Sequence, residues 1–227
     1  MQNQFQGFPD DAFAFLRGLA AEQNKAWFED NKRIYEEAVR WPLTALIADL
    51  TSEFTRLGLP LQGEPKRSVF RIHRDVRFAR DKAPYKINAG AVLTRNGGKD
   101  SPGLLYIHIQ PDRCFTACGF YRPGAQPLQA LRDAVVSNPA GYRAMLSRLA
   151  DNGLHPAPDE DALKRTPRGF ESVTDPDLLE AVRRRTFIIR EPLAQADVAS
   201  AALTDHLVAF AQRSMPLLTF GWKAMGL

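Results

Sequence analysis

Hydrophobic positions along this chain change their period twice. Phe13, Leu16 and Leu19 recur at helical spacing behind Asp10 and Asp11, either of which can cap a helix. Asn24 can cap a second, with Trp27, Phe28, Ile34, Tyr35, Ala38 and Val39 on its apolar side. Pro42, at a first-turn position, predicts a third helix, in which Leu43, Leu46, Ile47, Leu50, Phe54 and Leu57 keep a 3.6-residue period until Gly58 stops it. From there to about residue 122 the alternation has period two. It predicts strands near 67–76, 87–94, 103–110 and 114–121, separated by the turn-forming NGGKDSPG and QPDR. Helical spacing returns over Pro127–Val136, and again behind Asn138 and Pro139 with Tyr142, Met145, Leu146 and Leu149. A loop-rich stretch follows, then a late strand over Thr186–Arg190, and Asp197 is placed to cap a final helix bearing Val198, Leu203, Leu207, Phe210 and Leu217.

This order of elements predicts an α+β fold, an antiparallel sheet of about four to five strands packed with N-terminal and C-terminal helices. No repeat, low-complexity tract or linker interrupts the 227 residues, so a single domain is expected over 1–227. Its helical N-terminal part covers 1–58, the antiparallel strands 64–122, and a mainly helical C-terminal part 125–227.

Composition narrows the class. With 44% hydrophobic and 25% charged residues, the chain has enough apolar side chains for a packed core, which argues against disorder. Its apolar runs fall short of the roughly 20 residues that cross a bilayer, and MQNQFQGFPDD lacks the basic and apolar parts of a secretory signal. A cytoplasmic protein without membrane contact is expected. Cys114 and Cys118 in one strand would stand about 13 Å apart. A disulfide needs about 7 Å, so this spacing fits a reducing compartment.

The net charge of +4 is concentrated. Residues Lys66 to Lys86 hold eight basic side chains against Asp75 and Asp81, a net +6, which leaves the rest of the chain at −2. Such a segment is either an anion-seeking feature or a local ion-pair network. Read as a strand, it places Phe70, Ile72, Arg74, Val76 and Phe78 on one face and Arg71, His73, Asp75 and Arg77 on the other. Arg74 is then expected to be substantially buried and paired with a carboxylate, whereas Arg71 and Arg77 flank Asp75 and can converge on one anion or on Asp75 itself. A helical register would instead stack Arg67, Arg71 and Arg74; the β-branched and aromatic residues favour the strand. After it, Lys82, Pro84, Tyr85 and Lys86 form a turn and strand entry that either presents lysines to a ligand or is simply a hairpin corner.

The run RIHRDVRFARDKAPYK, with WFEDNKRIYE at Trp27 to Glu36, CGFYRP at Cys118 to Pro123 and TPRGF at Thr166 to Phe170, resembles a bacterial family catalogued as domain of unknown function 2461. The similarity spans nearly the whole chain in the same order. It implies that the matching positions Arg71, Arg74, Asp75, Arg77, Phe78, Lys82 and Tyr85 form the functional surface, and it brings no assigned catalytic residue.

Other chemistries lack their signatures. Four scattered histidines and CFTAC make no metal-ligand spacing, and GxxxxGK, GxGxxG and GxSxG are absent. No metal and no cofactor is expected. His73 beside Asp75 is an acid/base pair on one strand face; Tyr106 and His108 also share a face, an arrangement usually just solvated. The favoured expectation is a site for a small phosphorylated or carboxylated molecule, gripped by Arg71, Arg74, Arg77 and Lys82 with Tyr35, Tyr85 and Tyr121 as walls and Asn31 nearby. Two alternatives remain. One is nucleic-acid binding with Phe78 and Tyr85 stacking; the other is a structural or protein-interaction domain whose arginines are saturated by acids such as Glu29, Asp30, Glu36 or Glu37.

Overall fold

The computed structural model describes residues 4–77 and 80–227. Its N-terminal helices are α1 (Asp10–Ala21), α2 (Lys25–Asp30), α3 (Lys32–Ile34) and α4 (Trp41–Leu57), the last two joined by a π-helical turn over Tyr35–Arg40. Asn24 caps α2 as the sequence predicts, its side-chain oxygen accepting from the Trp27 amide at 2.9 Å. Pro42 stands in the first turn of α4 as the sequence predicts, though α4 continues directly from the π-helical turn. Arg40 and Trp41 keep helical dihedrals, and the chain passes through the proline. Proline has no N–H and its ring presses on the carbonyl four residues back, so a turn widened to five-residue spacing immediately upstream removes both conflicts. Gly58 closes α4 in the left-handed region, at φ 67°.

The expected strand over 67–76 is not one. Pro65–Ser68 forms a single helical turn, α5, and beyond it the chain runs extended beside residues 84–91 with isolated bridges only. Val69 lies opposite Ala91 and His73 opposite Tyr85, so four steps on one arm match six on the other. That slip of two residues prevents a continuous ladder. Three backbone bonds still tie the arms, from Phe70 N–H to the Gly90 carbonyl at 2.9 Å, from Lys86 to Ile72 at 2.8 Å and from Arg74 to Pro84 at 2.8 Å.

Four strands follow the predicted order: β1 (Ala89–Thr94), β2 (Leu104–Ile109), β3 (Phe115–Phe120) and β4 (Phe187–Pro192), antiparallel neighbours in the sequence β1-β2-β3-β4. Helices α6 (Ala125–Ser137) and α7 (Pro139–Asp151) match expectation, with the Asn138 side chain accepting from the Gly141 amide at 3.0 Å. The stretch expected to be loop-rich contains α8 (Pro176–Arg183), capped by Asp175, whose carboxylate accepts from the Asp177 and Leu178 amides. Asp197 does not cap the final helix. It lies within the short α9 (Gln195–Val198), and the last helix, α10, spans Leu203–Ala224. The fold is α+β.

The chain divides into two compact units. One comprises the described part of Met1–Lys99 with Tyr106–Thr116 and Glu191–Ala209; its core holds Phe5, Phe8, Phe13, Leu16, Leu43, Ile47, Leu50 and Phe54. The other comprises Asp100–Leu105, Ala117–Arg190 and Phe210–Leu227, with Phe120, Leu131, Val135, Leu149, Val182, Ile189 and Phe210 inside. Gly119 belongs to the second. At φ 129° it brings the backbone so near β4 that a Cβ would stand 2.2 Å from the Phe187 carbonyl oxygen. Among the described residues no helix is long and apolar enough to cross a membrane.

Candidate functional site

Although the ladder is broken, the period-two burial of the basic segment survives. Ile72 is buried and Phe70, Arg74 and Val76 are half-buried, while Arg71, His73, Asp75 and Arg77 are exposed. The ring cluster beneath explains this. Tyr85 stacks on Phe28 with ring centroids 4.6 Å apart, His73 packs on both rings, and Phe28 in turn meets Phe15 and Tyr35. The Tyr85 amide also donates to Gln23 Oε1 at 3.1 Å. Tyr85 therefore fastens the basic segment to the N-terminal helices. Tyr35 is buried as well, and burial pushes its hydroxyl pKa up. Asn31 donates to the Trp27 carbonyl at 2.9 Å, a local backbone bond. Tyr35, Phe28, Glu36, Arg40, Phe70 and Arg71 are among the residues around a cleft of about 290 Å³.

The basic motif splits into two halves with different electrostatics. In the second half Arg74, Arg77 and Lys82 each have an internal partner. Arg74 pairs with Asp81 at 2.5 Å, and Arg77 grips Asp75 with two bonds, Nε to Oδ1 at 3.0 Å and Nη2 to Oδ2 at 2.7 Å. Lys82 donates to the Val76 and Arg77 carbonyls at 3.0 and 3.4 Å. The Arg77 and Arg74 guanidinium bonds hold the Asp75 and Asp81 carboxyls below their usual range. Arg74 is less buried than the strand register implied. Its side chain is 29% exposed and that of Asp81 is 67% exposed, because the chain leaves the sheet here and both reach solvent. The helical acids do not serve these arginines: Glu29, Glu36 and Glu37 pair with Lys32, Arg40 and Arg33, three or four residues away along the chain.

A second group of cations, Arg71, Lys86 and Lys99, gathers around Phe70. Lys99 Nζ stands 4.7 Å from the centroid of the Phe70 ring and Lys86 Nζ 5.2 Å, and Lys99 also donates to the Val69 carbonyl at 2.7 Å. Among the described residues no carboxylate forms an ion pair with Arg71, Lys86 or Lys99. Burial, then Arg71 and Lys99, push the Lys86 pKa down; burial, then Arg71, do the same to Lys99.

The Phe70 ring meets Tyr106 edge-on at 6.1 Å, and from Tyr106 a hydrogen-bonded row runs along β2. Tyr106 Oη lies 2.9 Å from His108 Nδ1, and His108 Nε2 lies 3.0 Å from Gln110 Oε1. Asn88 Nδ2 approaches the same Nδ1 at 3.4 Å, and the imidazole stacks on Phe115 at 4.5 Å. Gly90 leaves room for the phenol, since a Cβ there would stand 2.9 Å from Tyr106 Oη.

Of the expected site residues, then, Arg71 joins the open cationic cluster and Arg74, Asp75, Arg77 and Lys82 form the internal lattice. Phe78 lies outside the described residues. Tyr121 belongs to the second unit, is 56% exposed and has the Arg122 guanidinium 5.6 Å from its ring. Lys86 reads in the sequence as a lysine that a turn can present to a ligand, whereas Lys99, Phe70 and His108 were not foreseen as site members. The signal for His108 was on the page: in LLYIHIQ the alternate positions Tyr106, His108 and Gln110 are polar and stand on one strand face. Lys99 sits in a turn and reaches Phe70 only through the fold.

No curated protein and no solved structure matches the chain. A family model does, over residues 11–220, in agreement with the resemblance carried by the basic motif. The chain therefore belongs to the family described as conserved hypothetical protein, domain of unknown function 2461.

Proposed function

We propose that this protein binds a small molecule bearing a phosphate or carboxylate, with Arg71, Lys86 and Lys99 as its cationic contacts. One observation carries the reading: two ammonium groups sit over one ring beside an arginine, with no carboxylate paired to any of them among the described residues. Holding like charges together costs free energy in the empty protein, and an anion between them reverses the sign of that interaction. The pairing of Arg67, Arg74 and Arg77 with acids favours a compact site over nucleic acid, because it shortens the cationic strip a polyanion would follow. Titration calorimetry with inorganic phosphate tests it. Saturable binding should weaken about tenfold or more in Arg71→Ala and in Lys99→Ala, as expected for loss of a charge-assisted contact. Binding of a single-stranded oligonucleotide with no response to phosphate would instead favour the nucleic-acid alternative.

A further inference from the structure

Three partners fix how protons are placed along the Tyr106–His108–Gln110 row. With the Gln110 oxygen toward Nε2 and the Asn88 amide nitrogen toward Nδ1, the tautomer protonated on Nε2 satisfies both and leaves the Nδ1 lone pair toward the Tyr106 hydroxyl. A hydroxyl aimed at a basic nitrogen that a third group orients is the arrangement by which proteins activate an oxygen nucleophile. The imidazole is held on both flanks, by Phe115 in a stack and by Gln110 in the strand plane. Tyr106 is half-exposed and packs against Phe70, the ring that carries the two ammonium groups. The cations around Phe70 thus lie one ring away from Tyr106, where their field favours negative charge on the phenol oxygen.

We propose that Tyr106 is a catalytic nucleophile toward phosphoryl esters, with His108 as its general base and Gln110 as a positioning residue. The proposal rests on the anion-site reading, since Arg71, Lys86 and Lys99 would hold the phosphoryl oxygens. In the step, Tyr106 Oη bonds to phosphorus while its proton passes to His108 Nδ1. The bond from phosphorus to the leaving oxygen breaks with its electron pair, and that oxygen takes the proton from the imidazolium. Water then attacks the phosphotyrosine, giving one proton to Nδ1, and the phenolate departs and recovers that proton. No oxidant, reductant or further co-reactant is needed.

The probe is diisopropyl fluorophosphate, which transfers its phosphoryl group with loss of fluoride, read by intact mass and peptide mapping. Exposed Tyr121 is the internal reference. Tyr106 should label at least tenfold faster than Tyr121, and His108→Phe, which keeps the stack on Phe115, should abolish that advantage. His108→Gln serves the same purpose where the phenylalanine variant does not fold by circular dichroism. Gln110→Leu should slow labelling severalfold while leaving phosphate affinity unchanged. Inorganic phosphate should protect Tyr106 in the wild type. Binding of phosphate without preferential labelling overturns the nucleophile and leaves the anion site standing. Fast, His108-dependent labelling that phosphate does not slow supports the nucleophile and removes the anion site. A Tyr106 that labels equally fast without His108 overturns the proposal.

Discussion

Replacing Lys86 by methionine should make the ligand-free protein more stable while destroying its affinity for phosphate. Methionine keeps a flexible apolar stem against Phe70 and removes only the charge. Lys86 Nζ and Lys99 Nζ lie 5.2 and 4.7 Å from one ring centroid, so they stand no more than about 10 Å apart. At that distance two unit charges repel by about 0.4 kcal/mol in water and about 1.7 kcal/mol at an effective dielectric constant of about 20. Both lysines are partly solvated, which places the value toward the lower part of that range, and Arg71 adds a second repulsion of the same sign. Against this, the substitution forfeits a cation–π contact of about 0.5–1 kcal/mol. The expected net gain is roughly 0–1 kcal/mol, with about 2–4 °C in melting temperature for a full kcal/mol in a chain of this size. With phosphate at about 100 times its dissociation constant, the wild type should gain about 2.7 kcal/mol and the variant almost none, so the order of stabilities reverses. The pH dependence has a definite sign. A lysine whose folded pKa lies below its ordinary 10.5 binds fewer protons folded than unfolded in that interval, so wild-type stability should rise with pH between the depressed value and 10.5. Lys86→Met should flatten this rise. Thermal and urea denaturation at low salt, with and without phosphate, provide the measurement. A variant destabilised by more than about 1 kcal/mol without ligand would refute the reasoning, because it would mean that the ammonium is held by a favourable partner.

In the internal half of the motif, Arg74→Ala should change stability by only ~0–1 kcal/mol and Arg77→Ala should leave it nearly unchanged, since both pairs reach solvent; urea titrations giving a loss of about 3 kcal/mol or more for Arg74 would restore the buried-pair expectation. Tyr85→Ala removes a ring that is 4% exposed and stacked on Phe28, and should cost about 3–5 kcal/mol by denaturant unfolding, weakening phosphate binding only by loosening Arg71 and Lys86. Cys118 is fully enclosed and burial pushes its thiol up to about 12, so native protein at neutral pH should leave it unmodified by iodoacetamide, and rapid labelling on peptide mapping would contradict that environment.

Local features were legible in the chain itself. Asn24, Gly58 and Asn138 act on backbone groups within four residues, and the α4 period and the alternation in β2 state which side chains turn inward. The basic motif and its family resemblance were likewise readable, and the alternate burial of residues 70–77 followed from period two alone. What the chain could not state was whether a partner exists for a given pattern. A β-rich segment becomes a strand only if its neighbour matches it residue for residue, and the two-residue slip between 69–73 and 85–91 denies that here. Pro42 reads locally as a helix start and stands in the first turn of α4, but the local pattern does not say that α4 continues directly from a widened π-helical turn. The charge count placed eight cations in one segment without saying which would be neutralised. That depended on the loop returning Asp81 to Arg74, and on Lys99, thirteen residues beyond the motif, arriving over the ring of Phe70. Caps, periods and turns arise from contacts within a few residues and so are written in order along the chain; a cluster of like charges around a ring arises from residues that meet only after the fold has closed.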